Sequence, residues 1–326
     1  MTDAVLDISN LSVEFNSPGG AVHALRQVNL RVPRGEIVGV VGESGSGKST
    51  LAMAVLGLLA QNATVTSGRI MLGGDDLLKL SPERMQGLRG TRIAMVFQDP
   101  MTSLNPVRSI GRQMVDIQYR DRGLSHAQKL EKAAAALRRV GIPDAASQLS
   151  RYPFQSSGGM RQRIAIAMGL LPRPDLLIAD EVTTALDVTL EAQILHLLRE
   201  LRNDINGSIL FISHNLGAIA EICDRVVVLY AGEVVEQGGI TDIFDRPQHP
   251  YTKALIACDP ARIAEASRSL PVIPGDVPDL RRVPTGCIFA PRCAEALDRC
   301  RTERPADVAV AEGHLARCHL VRGDAA

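Results

Sequence analysis

Four short stretches of this 326-residue chain carry side chains able to work on a nucleotide. "GESGSGKS" (Gly42–Ser49) fits the pattern G-x-x-x-x-G-K-[ST] in full. Gly42, Gly45 and Gly47, with Ser44 and Ser46 between them, would let backbone N–H groups turn inward around phosphate oxygens. Lys48 would then reach the β and γ oxygens, and Ser49 would ligate Mg²⁺. "LLIADE" ends an apolar run on Asp180, a second Mg²⁺ ligand, and on Glu181, placed to polarise a water for in-line attack on the γ-phosphate. "SILFISH" and "MVFQD" end in the same way on His214 and Gln98. The histidine is a candidate γ-phosphate contact, and the glutamine a sensor of the metal or the attacking water. Taken singly, the last three are ordinary strand ends. Together with residues 42–49 they point to hydrolysis of a nucleoside triphosphate.

Such groups need a scaffold of buried strands. "EIVGVVG" (Glu36–Gly42), "RIAMVFQ" (Arg92–Gln98), "LLIAD" (Leu176–Asp180), "SILFIS" (Ser208–Ser213) and "RVVVLY" (Arg225–Tyr230) are short apolar runs of the buried parallel kind. Helical patterns lie between them: Ser49–Ala60, Ile164–Leu171 and Leu190–Asp204. The alternation predicts an α/β fold with a mainly parallel sheet. Strand-like runs disappear between about Pro100 and Pro153, where His126–Ile142 reads as a helix, so residues 100–155 are expected to form a helical subdomain. After Gly239 prolines recur at 247, 250, 260, 271, 274, 278 and 284, marking a linker into a small cysteine-bearing domain. The expected division is therefore 1–240 and 241–326.

Composition narrows the partners. Hydrophobic residues make up 45% and charged residues 22%, enough for a substantial core. Aromatics are 3%, tryptophan is absent, and 36 basic residues balance 36 acidic ones. That argues against a nucleic-acid partner, which calls for a basic field or stacking platforms. "MTDAVLDISNL" has neither the basic nor the apolar region of a signal peptide, and no run of about 18 apolar residues spans a membrane.

A second phosphate site then needs explaining. "SSGGMRQR" (Ser156–Arg163) opens a helix with small residues, leaving N–H groups exposed to an anion. With the stretches above, in this order, it resembles the ATP-binding subunits of ABC transporters over residues 5 to about 240: phosphate loop (Gly42–Thr50), glutamine loop (Gln98), signature (Ser156–Met160), acidic strand end (Asp180, Glu181), "TTALD" loop (Thr183–Asp187) and switch histidine (His214). The resemblance implies a P-loop ABC-type ATPase fold in which two subunits face head to tail. Each ATP then lies between one phosphate loop and the other chain's signature. Ser157, Gly158, Gly159, Met160 and Asp187 would serve the partner's ATP, and Phe15, after the first strand, matches the residue that stacks on adenine.

"FQDPMTSLNP", "HPYTKAL" and "GCIFAPRC" look like the dipeptide/oligopeptide importer branch, which also includes nickel and other small-solute systems. That implies a motor subunit, peripheral on the cytoplasmic face of the cell membrane, driving uptake of di- or oligopeptides. Its partners would be a second, different ATP-binding chain, two membrane-spanning permease subunits around Gln98–Pro106 and the helical insertion, and an extracytoplasmic substrate-binding protein. A soluble ABC ATPase of translation or repair is disfavoured by the single phosphate loop and short insertion, and a non-hydrolysing module by retention of Lys48, Asp180, Glu181 and His214. Two positions depart from the family pattern. Ser156 stands where Leu or Phe is usual, which loosens the seating of the signature helix and suits the weaker of two unequal sites. Val182 replaces a proline that would stiffen the turn.

Cys287, Cys293, Cys300 and Cys318 are separated by five, six and seventeen residues. The close C-x₂₋₄-C pair of most structural zinc sites is missing. Four thiolates suit a four-iron four-sulfur cluster, and the resemblance implies one in some members. Zinc and unligated thiols stay open. Cys223 and Cys258 read as ordinary buried residues.

Overall fold

The computed structural model describes residues 4–99, 103–184, 186–205, 207–259 and 271–322. Its strands, in chain order, are β1 (Ala4–Ser17), β2 (Gly20–Pro33), β3 (Ile37–Val41), β4 (Ala63–Leu72), β5 (Asp75–Asp76) and β6 (Ile93–Val96). There follow β7 (Leu176–Asp180), β8 (Ser208–Ile212), β9 (Arg225–Tyr230), β10 (Glu233–Gly239), β11 (Val308–Ala311) and β12 (His314–Ala316). The chain divides into two compact units, Met1–Leu80 with Phe211–Ala326, and Ser81–Leu210.

The first unit holds an antiparallel sheet in the order β2-β1-β4-β5, and a mixed arrangement in the order β11-β12-β10-β9-β3. β3 pairs in parallel with β9, from Val38↔Arg225 to Val41↔Val228. All five β3 residues are buried, and each fully buried Val or Ile contributes about 1.5–3 kcal/mol. β10 runs antiparallel to β9 and to β12. The chain end is fastened there by a buried carboxylate. Glu236 accepts from His314 Nε2 at 2.8 Å and from the N–H groups of Gln248 and His249 at 2.8 and 2.9 Å. The helix Lys48–Leu56 stops four residues short of the apolar run that announces it, because Gly57 takes a left-handed cap at φ 60°. His249 caps the helix Pro250–Ala257 by accepting from Tyr251 N at 3.0 Å. Burial pushes its pKa down to about 3, so the ring stays neutral and can accept.

In the second unit β6 and β7 pair in parallel, from Ile93↔Leu176 to Val96↔Ala179. The described residues 103–153 form helices and turns with no strand. Ser125 and Gln128 close a reciprocal capping box that starts the helix His126–Arg139. The signature helix runs Gly158–Leu170 and a further helix runs Val188–Ile205. Among the described residues no helix is long and apolar enough to cross a membrane.

Candidate functional site

In the first unit, β3 delivers the chain into residues 42–49 and the helix Lys48–Leu56 carries it away. The loop is wound around its own lysine. Lys48 Nζ donates to Gly42 O at 2.7 Å, to Glu43 O at 3.0 Å and to Ser46 Oγ at 3.4 Å. Lys48 and Ser46 are buried, while Ser44, Gly45 and Ser49 face solvent and Gly47 and Thr50 are intermediate. Gly45 has φ 77°, and a Cβ there would meet nothing within 4 Å. This is a cradle with open room over its rim and an ammonium held beneath, which fits a polyphosphate whose oxygens would join the carbonyls around Lys48.

Phe15 lies within β1, not after it. It is paired with Val22 on one side and Ala63 on the other, and is partly exposed. His214 follows β8 and is exposed. Its neighbour Asn215 caps the helix Leu216–Ile222, accepting from Gly217 N at 2.9 Å and Ala218 N at 3.3 Å. The residue that sequence reasoning passed over is Tyr251, whose hydroxyl accepts from Glu43 N at 3.0 Å inside the phosphate loop. No local pattern announces a partner 208 residues away.

The second unit brings Gln98 and Glu181 together. Gln98 Nε2 donates to Glu181 Oε2 at 2.8 Å, and Thr184 Oγ1 donates to the same oxygen at 3.3 Å. Glu181 has φ 47°, a left-handed conformation that an ordinary side chain rarely adopts. Strain of this kind costs about 1–3 kcal/mol and gathers at functional positions. Asp180, one residue earlier, is buried at the end of β7. It is a hard oxygen donor of the kind Mg²⁺ takes, as Ser49 and Gln98 are. Val182 is 1% exposed, a buried apolar side chain where the family pattern has proline.

Ser157 caps the signature helix, its Oγ accepting from Met160 N at 3.3 Å. Ser157 and Gly158 are exposed, Met160 is intermediate and Gly159 is buried. A Cβ on Gly159 would sit 3.0 Å from Leu190. Asp187 caps the helix Val188–Ile205 through Leu190 N at 3.0 Å. Ser156 is 6% exposed and its hydroxyl is buried with no hydrogen-bond partner among the described residues, a polar atom in the seat expected for an apolar anchor. Pro100, Met101 and Thr102 of the glutamine-loop stretch, Ala185 of the "TTALD" loop and Pro260 of the linker lie outside the described residues.

Cys300 and Cys318 are buried, and Cys287 and Cys293 are half-buried. Burial pushes the Cys287 thiol up to about 11, with the Cys300 and Cys318 thiolates adding to it. Cys293 and Cys318 are raised by the same two causes, burial first and then neighbouring thiolates. Yet among the described residues no three His, Cys, Asp or Glu side chains are gathered to hold one metal ion. The zinc reading gains nothing from this geometry. Cys223 is buried, whereas Cys258 is only partly so, correcting its reading as a buried residue.

Residues 25–184 match the ABC transporter family, and residues 235–300 match the oligopeptide/dipeptide transporter C-terminal region. A Sinorhizobium fredii protein named "probable peptide ABC transporter ATP-binding protein" is 48% identical over 317 residues, covering 97% of this chain and 95% of that one. The dipeptide transport ATP-binding protein of Escherichia coli is 44% identical over 322 residues, covering 99% and 98%. Among solved structures, a post-hydrolysis dimer of an ATP-binding cassette bound to ADP and phosphate aligns with a TM-score of 0.64 at 26% identity, over 72% of this chain and 98% of that one. None of these comparisons speaks for a metal cluster.

Proposed function

Because this chain belongs to the family of ABC transporter ATP-binding subunits, we propose that it is the ATP-hydrolysing motor of an importer of di- or oligopeptides. The observation that carries the reading is the phosphate loop with Lys48 seated on the Gly42 and Glu43 carbonyls. Gly42 and residues 44–50 bind the triphosphate and Phe15 stacks on the base. Mg²⁺, held by Ser49, Gln98 and Asp180, would neutralise charge on the phosphate oxygens. Glu181 takes the proton of the attacking water, Gln98 orients Glu181, and His214 contacts the γ-phosphate. Ser157, Gly158, Gly159, Met160 and Asp187 close over the nucleotide of a second ATP-binding chain. Residues 1–240 form the ATPase and 241–326 the importer-type C-terminal domain. Two permease subunits hold the chain on the cytoplasmic face of the membrane, and an extracytoplasmic binding protein selects the cargo.

Purification of the tagged chain from native membranes in mild detergent tests this. Two polytopic membrane proteins and a second ATP-binding chain are expected, and the complex in vesicles should take up labelled dipeptide only with ATP. Uptake of nickel and not peptide would replace the cargo. Recovery of soluble partners alone would overturn the transport role. The unequal-site reading rests on Ser156, whose buried hydroxyl has no hydrogen-bond partner among the described residues.

The four cysteines suit a four-iron four-sulfur cluster better than one ion. Four thiolates are the usual ligand set of such a cluster, and the family resemblance carries this reading, since among the described residues no three such side chains are gathered around one metal ion. Cys287, Cys293, Cys300 and Cys318 would each supply one thiolate, and the cluster would stiffen this region. Protein purified without oxygen should contain roughly four irons per chain and absorb near about 400 nm, and Cys300→Ser should lose both. Iron-free wild-type protein would overturn the cluster and leave zinc or unligated thiols.

A further inference from the structure

The phosphate loop is gripped from the far end of the chain. Arg292 Nη1 donates to Glu43 Oε2 at 2.7 Å, and Nη2 donates to Oε1 at 3.1 Å, a two-pronged pair. The guanidinium is fixed on its other edges. Nε donates to Pro274 O at 2.9 Å, Nη2 to Ile273 O at 3.1 Å and Nη1 to the Tyr230 hydroxyl at 3.3 Å. The Arg292 side chain is 4% exposed and that of Glu43 is 28% exposed. Tyr251 takes the Glu43 N–H, and Tyr230, Tyr251 and Phe289 pack ring against ring beneath the pair. Glu43 is thus held at its backbone nitrogen and at both carboxylate oxygens by residues after 250. Its remaining polar atom, the carbonyl, accepts from Lys48 Nζ and from Ser46 N.

We propose that Arg292 is a positioning residue for the ATP site: by clamping Glu43 it fixes the carbonyl that holds the Lys48 ammonium, so ATP affinity depends on the seating of the cysteine-bearing C-terminal region. Backbone N–H groups hold phosphate only at hydrogen-bond distance, so a loop shifted by about 1 Å loses those contacts. Arg292 is the last residue of the turn Ala290–Arg292, which is closed by Ala290 N to Cys287 O at 3.1 Å and Cys293 N to Ala290 O at 3.4 Å. The clamp therefore sits between two of the four cysteines, Cys287 and Cys293. The inference rests on the ATPase reading above.

The test uses the full chain, with MgATP binding measured by a fluorescent nucleotide and steady-state hydrolysis measured beside it. Arg292→Met and Glu43→Gln should each raise the Kd and KM for ATP about tenfold with kcat within about twofold, since the clamp touches no reacting atom. The double variant should be no worse than either single one, because both remove one shared interaction. Arg292→Lys, which keeps the charge but only one prong, should recover part of the affinity. Single variants that melt earlier yet bind ATP like wild type would make the clamp structural and overturn the inference. Should wild type bind no ATP, the ATPase reading falls first and takes the inference with it. Wild-type binding with unchanged variants sinks the inference alone.

Discussion

Glu181→Gln is expected to lower kcat for ATP hydrolysis by about 10²–10⁴-fold, the range lost with a general base, while ATP still binds. The geometry makes this a clean substitution. A glutamine at 181 can turn its amide oxygen toward Gln98 Nε2 and keep the 2.8 Å bond that Glu181 makes there. It also carries a Cβ at φ 47°, as glutamate does, so the backbone strain of the strand end is unchanged. What is lost is the capacity to take a proton. Phosphate release measured under saturating MgATP, with retention of bound nucleotide on a filter or column, separates the two effects. Full activity in the variant would return Glu181 to the role of a strand-end residue that orders Gln98 and Thr184.

The strands that carry this chemistry were plain in the sequence, and for a physical reason. β3, β7 and β8 are five-residue elements buried at every position, so their apolar runs have no polar interruption to confuse them. β7 and β9 begin and end where the runs Leu176–Asp180 and Arg225–Tyr230 do. The long antiparallel strands were hidden instead. In "AVLDISNLSVEFNS" Leu6 and Ile8 are buried, then the phase slips to Leu11 and Val13. The slip is an irregularity in the pairing of β1 with both neighbours, at Ile8/Leu11 and Ser9/Ser12, where Asn10 takes φ 51°. An alternating pattern broken by an extra residue does not read as one strand, which is why Phe15 was expected beyond a strand that in fact contains it.

The candidate site is legible to the extent that it is local. A phosphate loop, an acidic strand end and a capped helix start each declare themselves within eight residues, because backbone N–H groups must be neighbours to share one anion. The grip on Glu43 has no such constraint. Tyr251 and Arg292 reach it across 208 and 249 residues, and nothing in "HPYTKAL" or "APRC" distinguishes a tyrosine or arginine that turns toward Glu43 from one that packs elsewhere. Ser156 shows the reverse case. Its departure from the family pattern is visible in sequence, and its cost, a buried hydroxyl with no hydrogen-bond partner among the described residues, only in the fold.

Gly42→Ala and Gly45→Ala should fail in different ways, although both alter the same loop. A Cβ at position 42 would lie 2.0 Å from Leu229 O, 3.1 Å from Leu229 C and 2.9 Å from Ser46 Oγ. Leu229 cannot yield easily. It is fully buried, and β9 is tied on one side to β3 and on the other to β10. The loop itself must move, and with it Lys48, whose shortest bond is to Gly42 O. The expected result is a loss of about 1–3 kcal/mol of stability from overpacking, read by denaturant unfolding, together with at least about a hundredfold weaker ATP binding from misplaced phosphate contacts. At position 45 the added methyl meets nothing, so the stability cost should be only the about 1–2 kcal/mol of a left-handed backbone. The methyl stands in the open rim over which the triphosphate would lie. Gly45→Ala should therefore lose ATP far out of proportion to its change in unfolding. If both variants instead lose stability and affinity in the same ratio, the rim of the loop is not where phosphate enters, and the fit drawn between this cradle and ATP is wrong.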